Sequence, residues 1–186
     1  MAFDPMRDLK GYMTQEQLDK IEQKCTTLKE LSIIQTLRYT GIRVSELTTI
    51  EIKNVLLKER IIIIYALKQR KKYRKERRII ISTTLAETLQ YYIKEHKPQT
   101  QLFKITRFGI FKLVRRLGKR TGINTIGEKQ LHPHHFRHSF AINWIKKGGG
   151  LEQLQKYLGH TDIKTTTQYL QFSPQDVKEE YDKIIK

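Results

Sequence analysis

Two stretches, Arg60-Ile61-Ile62-Ile63-Ile64-Tyr65-Ala66-Leu67 and Glu76-Arg77-Arg78-Ile79-Ile80-Ile81-Ser82, decide how this chain folds. Both are short and rich in β-branched residues, which suit a pleated surface, so they read as two strands. A basic turn joins them, Lys68-Gln69-Arg70-Lys71-Lys72-Tyr73-Arg74-Lys75. Outward of this hairpin the signals are helical. Toward the N-terminus, Thr14 and Gln17 form a capping box, with Met13 and Leu18 at the flanking apolar positions. Leu28, Leu31, Ile34 and Leu37 recur at helical spacing until Gly41 offers a stop. Toward the C-terminus, Thr84 with Glu87 opens a helix carrying Leu85, Leu89, Tyr92 and Ile93, which ends before Pro98. Phe108, Phe111, Val114 and Leu117 mark another, closed by Gly122. A helix over about 133–147 stops at Gly148-Gly149-Gly150, and Leu151, Leu154 and Leu158 stripe the next, up to Gly159. A further helix starts near Asp162, and Ser173-Pro174 caps a last one. The expected fold is mainly α with a small antiparallel β-sheet (α+β).

Composition narrows the function. The chain has 186 residues, enough for one domain with a buried core. Its 36 Lys and Arg against 19 acids give a net charge of +17, so it repels itself unless a polyanion is the usual partner. Nucleic acid fits that description, because neutralised phosphates release counterions. No apolar run is long enough to span a membrane, and Met1-Ala-Phe-Asp-Pro5 lacks the profile of a secretory signal. One cysteine, Cys25, excludes an internal disulfide and suits a reducing compartment, the cytoplasm beside the nucleoid.

Three short segments hold residues able to do chemistry. The first is Tyr39-Thr40-Gly41-Ile42-Arg43-Val44-Ser45-Glu46-Leu47, where Arg43 stands at a turn beyond a helix end. A guanidinium is a planar fork of donors that matches two phosphate oxygens, and Glu46 could pin it. Taken alone, the pair reads as an i,i+3 surface ion pair. The second is Leu131-His132-Pro133-His134-His135-Phe136-Arg137-His138. On a helix His134 and Arg137 share a face, whereas Phe136, Phe140 and Trp144 follow i,i+4 spacing on another that packs inward. Its clustered histidines lack partners at zinc-finger spacing, so no metal site is expected. The third is Leu158-Gly159-His160, with Tyr169 nine positions after the histidine.

In order and spacing these segments resemble the tyrosine recombinase (phage integrase) family: its T-G-x-R-x-S-E-L segment, its H-x-x-R-H helix, and its L-G-H with a tyrosine nine residues on. The resemblance runs from about Met13 to Phe172. It implies that family's catalytic-domain fold over 13–172, with 1–12 an N-terminal extension or linker remnant and 173–186 a C-terminal tail helix. It assigns Arg43 and Arg137 to the scissile phosphate, Tyr169 to nucleophilic attack, His134 to general base work and His160 to a hydrogen bond on the phosphate. No cofactor or metal is needed. The implied partners are double-stranded DNA and further copies of the chain in a tetrameric synapse, with a monomer off DNA as the alternative.

The family's general acid is a lysine in the hairpin turn. Counting back from the second strand selects Lys72, which we prefer; counting forward from the first selects Lys68. The other cations there, Arg70, Lys71, Arg74 and Lys75, are expected to contact DNA, and most of the basic residues between 68 and 78 to touch backbone phosphates. Residues 1–25 are too few for the helical core-binding domain that usually precedes this domain. The chain is then either an excised catalytic domain or akin to short natural forms such as the fimbrial-switch recombinases. Competing readings are a type IB topoisomerase, a non-catalytic DNA-binding regulator and a basic RNA-binding protein.

Overall fold

A computed structural model describes residues 11–65 and 76–159. The chain divides into two compact units, Met1–Phe140 and Ala141–Lys186. The first unit starts with the capping box read from sequence. Thr14 Oγ1 accepts from the Gln17 N–H at 3.2 Å and Gln17 Oε1 accepts from the Thr14 N–H at 3.0 Å, opening α1 (Gln15–Gln23). Helix α2 (Leu28–Thr40) is buried on most of its faces rather than along one stripe. Its hydroxyls are therefore satisfied within the helix: Ser32 Oγ donates to the Leu28 carbonyl at 2.7 Å and Thr36 Oγ1 to that of Ser32 at 2.6 Å. Two buried charges on α2 find partners on other helices. Arg38 pairs with Asp19 and, at 2.5 Å, with Glu22 of α1. Glu30 pairs with Arg116 at 2.5 Å and Arg120 at 3.2 Å, both on α5 (Arg107–Thr121). A buried ion left alone is costly, so these pairs fix which helix lies against which.

After α3 (Val44–Leu47), a 3₁₀ turn at Ile52–Asn54 leads into a three-stranded antiparallel sheet in the order β1 (Val55–Leu56), β2 (Ile61–Tyr65), β3 (Glu76–Ile80). Ile62 faces Ile79 and Ile64 faces Arg77 across the β2–β3 ladder. The expected first strand ran on to Leu67, outside the described residues. The second stops at Ile80, because Ser82 leaves the ladder to cap α4 (Thr83–His96), accepting from the Leu85 N–H at 3.2 Å. That corrects the expected Thr84 start: the earlier hydroxyl captures the free N–H groups.

On α5 the buried stripe is Ile110, Leu113, Val114 and Leu117. Phe108, expected to belong to it, is 67% exposed, with Lys112 over its ring at 4.6 Å. Two residues before Ile110 is about 200° around the helix, on the opposite side. A second hairpin, β4 (Thr125–Ile126) and β5 (Lys129–Gln130), turns through Gly127 at φ +58° and was not anticipated. Helix α6 (Pro133–Lys146) follows. In the second unit α7 (Leu151–Leu158) buries Leu154 and Leu158 and ends at Gly159 with φ +64°. There Trp144 stacks on Tyr157, its Nε1 donating to the Gly150 carbonyl at 3.1 Å. Among the described residues no helix is long and apolar enough to cross a membrane. The helix expected from Asp162 and the tail from Ser173 lie outside the described residues.

Candidate active site

The site forms where α2 stops. Gly41 takes φ +58°, the left-handed conformation that favours glycine, and its N–H closes the helix on the Leu37 carbonyl at 3.1 Å. A Cβ there would lie 2.8 Å from a ring carbon of Phe140, so the glycine both turns the chain and lets α6 approach it. Two residues on, Arg43 has extended backbone and starts α3. Glu46, in the first turn of α3, reaches back. Its Oε2 accepts from the Arg43 backbone N–H at 2.7 Å and its Oε1 from Arg43 Nη1 at 3.2 Å.

Helix α6 brings the second arginine to the same turn. Arg137 Nη1 donates to the Gly41 carbonyl at 2.7 Å, and only 5% of the residue is exposed. By contrast 39% of the Arg43 side chain is open to solvent, and among the described residues its guanidinium has a single partner, Glu46. One fork is thus anchored deep, and the other keeps N–H groups without a partner among the described residues, both at the Gly41–Glu46 turn. Two guanidinium groups meet on this one carboxylate, since Arg77 of β3 also donates to Glu46 Oε2, at 3.0 Å, while that of Arg137 is held on the Gly41 carbonyl of the same turn. An excess of fixed, forked cations on a rigid turn is suited to a phosphate oxyanion.

His134 lies one turn ahead of Arg137 on α6 and is exposed. Its pKa falls below the ordinary value through partial loss of hydration, then through the field of Arg137, Arg43 and Arg107. The imidazole is neutral at neutral pH and can accept a proton. Its neighbours serve the helix. His135 is buried, and its Nδ1 accepts from the His132 N–H at 3.1 Å, so that nitrogen carries no proton. Ser139 Oγ donates to the His135 carbonyl and accepts from the Met13 N–H, each at 2.7 Å.

Burial pushes His135 and His138 down to about 4, with nearby imidazoles and, for His138, Arg137 adding to it. Both are depressed in the fold, so the unfolded chain takes up protons first as the pH drops. Their contribution to stability is complete above the ordinary value of 6.5 and is lost progressively toward pH 4. The urea midpoint should therefore fall through that window, and a midpoint unchanged across it would contradict the burial of neutral histidines.

Of the residues singled out from sequence, Arg43, Glu46, His134 and Arg137 lie around the Gly41–Glu46 turn. Lys68, Arg70, Lys71, Lys72, Arg74, Lys75, His160 and Tyr169 lie outside the described residues. Arg77 was not singled out. It was grouped with the phosphate-facing cations, yet its side chain is only 15% exposed and pairs internally. A signal existed in the strand alternation: Arg77 stands two residues before Ile79, which is buried, so the two share a face.

The sequence model of the Phage integrase family matches residues 11–176. The tyrosine recombinase XerA of Saccharolobus solfataricus is 34% identical over 165 residues, which are 89% of this chain and 53% of that protein. The chain spans about half the length of the curated relatives it matches. Its fold superposes on the crystal structure of XerA recombinase with a TM-score of 0.77 at 27% identity, covering 92% of this chain and 64% of that one. The catalytic domain of bacteriophage HP1 integrase gives 0.71 at 22% identity, covering 92% and 94%, a likeness of fold.

Proposed function

Because the chain belongs to the phage integrase family, we propose that it is the catalytic domain of a site-specific DNA recombinase that works through a 3′-phosphotyrosyl intermediate. The observation that carries this reading is the convergence of Arg43 and Arg137 on one turn, with a neutral His134 beside them. In the reaction both guanidinium groups hold the non-bridging oxygens of the scissile phosphate and stabilise the charge that develops on them. The Tyr169 oxygen attacks phosphorus and the bond to the 5′-oxygen breaks. The phenol proton passes to His134, and Lys72 (or Lys68) protonates the departing 5′-oxygen. His160 hydrogen-bonds the phosphate. Because one phosphodiester replaces another, the bond energy is kept and no cofactor is required. Attack by the 5′-hydroxyl of a second strand reverses the step and completes the transfer. Double-stranded DNA is the partner that the +17 charge favours, and exchange of strands between two sites calls for further copies of the chain.

The test is capture of the intermediate. A pool of nicked duplexes of randomised sequence lets the 5′-hydroxyl fragment diffuse away, so a covalent adduct at the 3′ end accumulates and its DNA can be sequenced. DNA binding without any adduct would overturn the proposal in favour of a non-catalytic DNA-binding protein. The captured duplex then decides the acid. A 5′-bridging phosphorothioate leaves without protonation, so it should restore cleavage by Lys72→Ala and not repair an unrelated defect. Rescue of Lys68→Ala alone would move the role to Lys68.

A further inference from the structure

We infer that Arg77 is a positioning residue for the reaction, holding Glu46 so that the Arg43 guanidinium stays available to phosphate; the inference rests on the functional reading above. Glu46 is the common partner. Its Oε1 accepts from Arg43 Nη1 at 3.2 Å, while its Oε2 accepts both the Arg43 backbone N–H at 2.7 Å and Arg77 Nη2 at 3.0 Å. The side chains of Glu46 and Arg77 are 8% and 15% exposed, against 39% for Arg43. The carboxylate is therefore a nearly dry anion that must be neutralised locally. Its strongest alternative is a two-bond fork with the Arg43 guanidinium, the geometry in which arginine and carboxylate bind each other best. That fork would use the same N–H groups that a phosphate needs.

Arg77 prevents it by occupying Oε2. It comes from β3, an element rigidly laddered to β2, and is 31 residues from Glu46. With the second cation supplied from the sheet, Glu46 needs only one bond from the Arg43 side chain. Arg43 is steered by its backbone and one nitrogen, and 39% of its side chain stays open to solvent. Arg77 also ties β3, the strand that follows the basic turn, to α3.

The test uses the full chain and the duplex captured above, with adduct formation followed in a single turnover and DNA affinity measured separately. Arg77→Met is expected to slow adduct formation on the order of 10-fold to 100-fold, as for a misplaced reacting group, with DNA affinity nearly unchanged. Arg77→Lys, which keeps the charge and folds more securely, is expected to lie between. In the Arg77→Met background Glu46→Gln is expected to cost nothing further or to recover part of the rate, because the competing carboxylate is gone. Effects that multiply, a loss confined to affinity, or an Arg77→Met rate equal to the parent's would each overturn the inference while the functional reading stands. A parent chain that forms no adduct overturns both.

Discussion

Tyr169→Phe is expected to form no covalent adduct with the captured duplex, whereas the parent chain should accumulate one. The expectation follows from the chemistry of the bond. The intermediate needs an oxygen on phosphorus, and a phenyl ring has none to offer, so the loss is complete rather than partial. DNA affinity should hardly change, because the substitution removes one hydroxyl and keeps the ring. The chain contains nine tyrosines, and those at positions 65 and 91 are exposed, so adduct formation alone does not identify the nucleophile. Digestion of the parent adduct and mass mapping of the nucleotide-bearing peptide should therefore place the DNA on the peptide containing Tyr169. An equal yield from the phenylalanine variant, or DNA on Tyr65 or Tyr91, would sink the assignment.

Arg137→Lys carries the second large effect. Lysine keeps the positive charge but replaces the fork by a point, so one of the two bonds from this side chain is lost. Arg137 is almost fully buried, and its Nη1 is committed to the Gly41 carbonyl at 2.7 Å. On the proposed reading that bond holds the guanidinium in direction as the transition state forms, which is where such donors act most strongly. Loss of one donor of this kind lowers a rate by about 10²-fold to 10³-fold, or about 2.7–4 kcal/mol. Stability should fall too, by about 1–3 kcal/mol, if the Gly41 carbonyl is left without a partner. Arg43→Lys separates the two roles. Arg43 is far more open, so that variant should lose a comparable factor in single-turnover adduct formation while its melting temperature stays close to the parent's. Adduct formation by Arg137→Lys within a few-fold of the parent would remove Arg137 from the phosphate.

Much of this protein is written in short-range chemistry, and that part was legible. The Thr14–Gln17 box and the glycine stops at 41, 122 and 159 each involve hydrogen bonds spanning a few residues, so the residue types alone specify them. The same holds for Arg43 with Glu46, three residues apart, and for His134 with Arg137 on one helix. Contacts between distant segments were not legible. Phe108 is turned away by the way α5 lies in the unit, and α2 is enclosed on most faces although its apolar residues suggested a stripe. Arg77 shows the difference most clearly. As sequence it is one more cation after a basic turn, and only the β2–β3 register puts it opposite Ile64 and within 3.0 Å of Glu46. Local residue types determined the helices and their ends. Tertiary structure decided that Arg137, 96 residues from Gly41, meets the turn that carries Arg43, because burying an ion forces the chain to bring it a partner from wherever one exists.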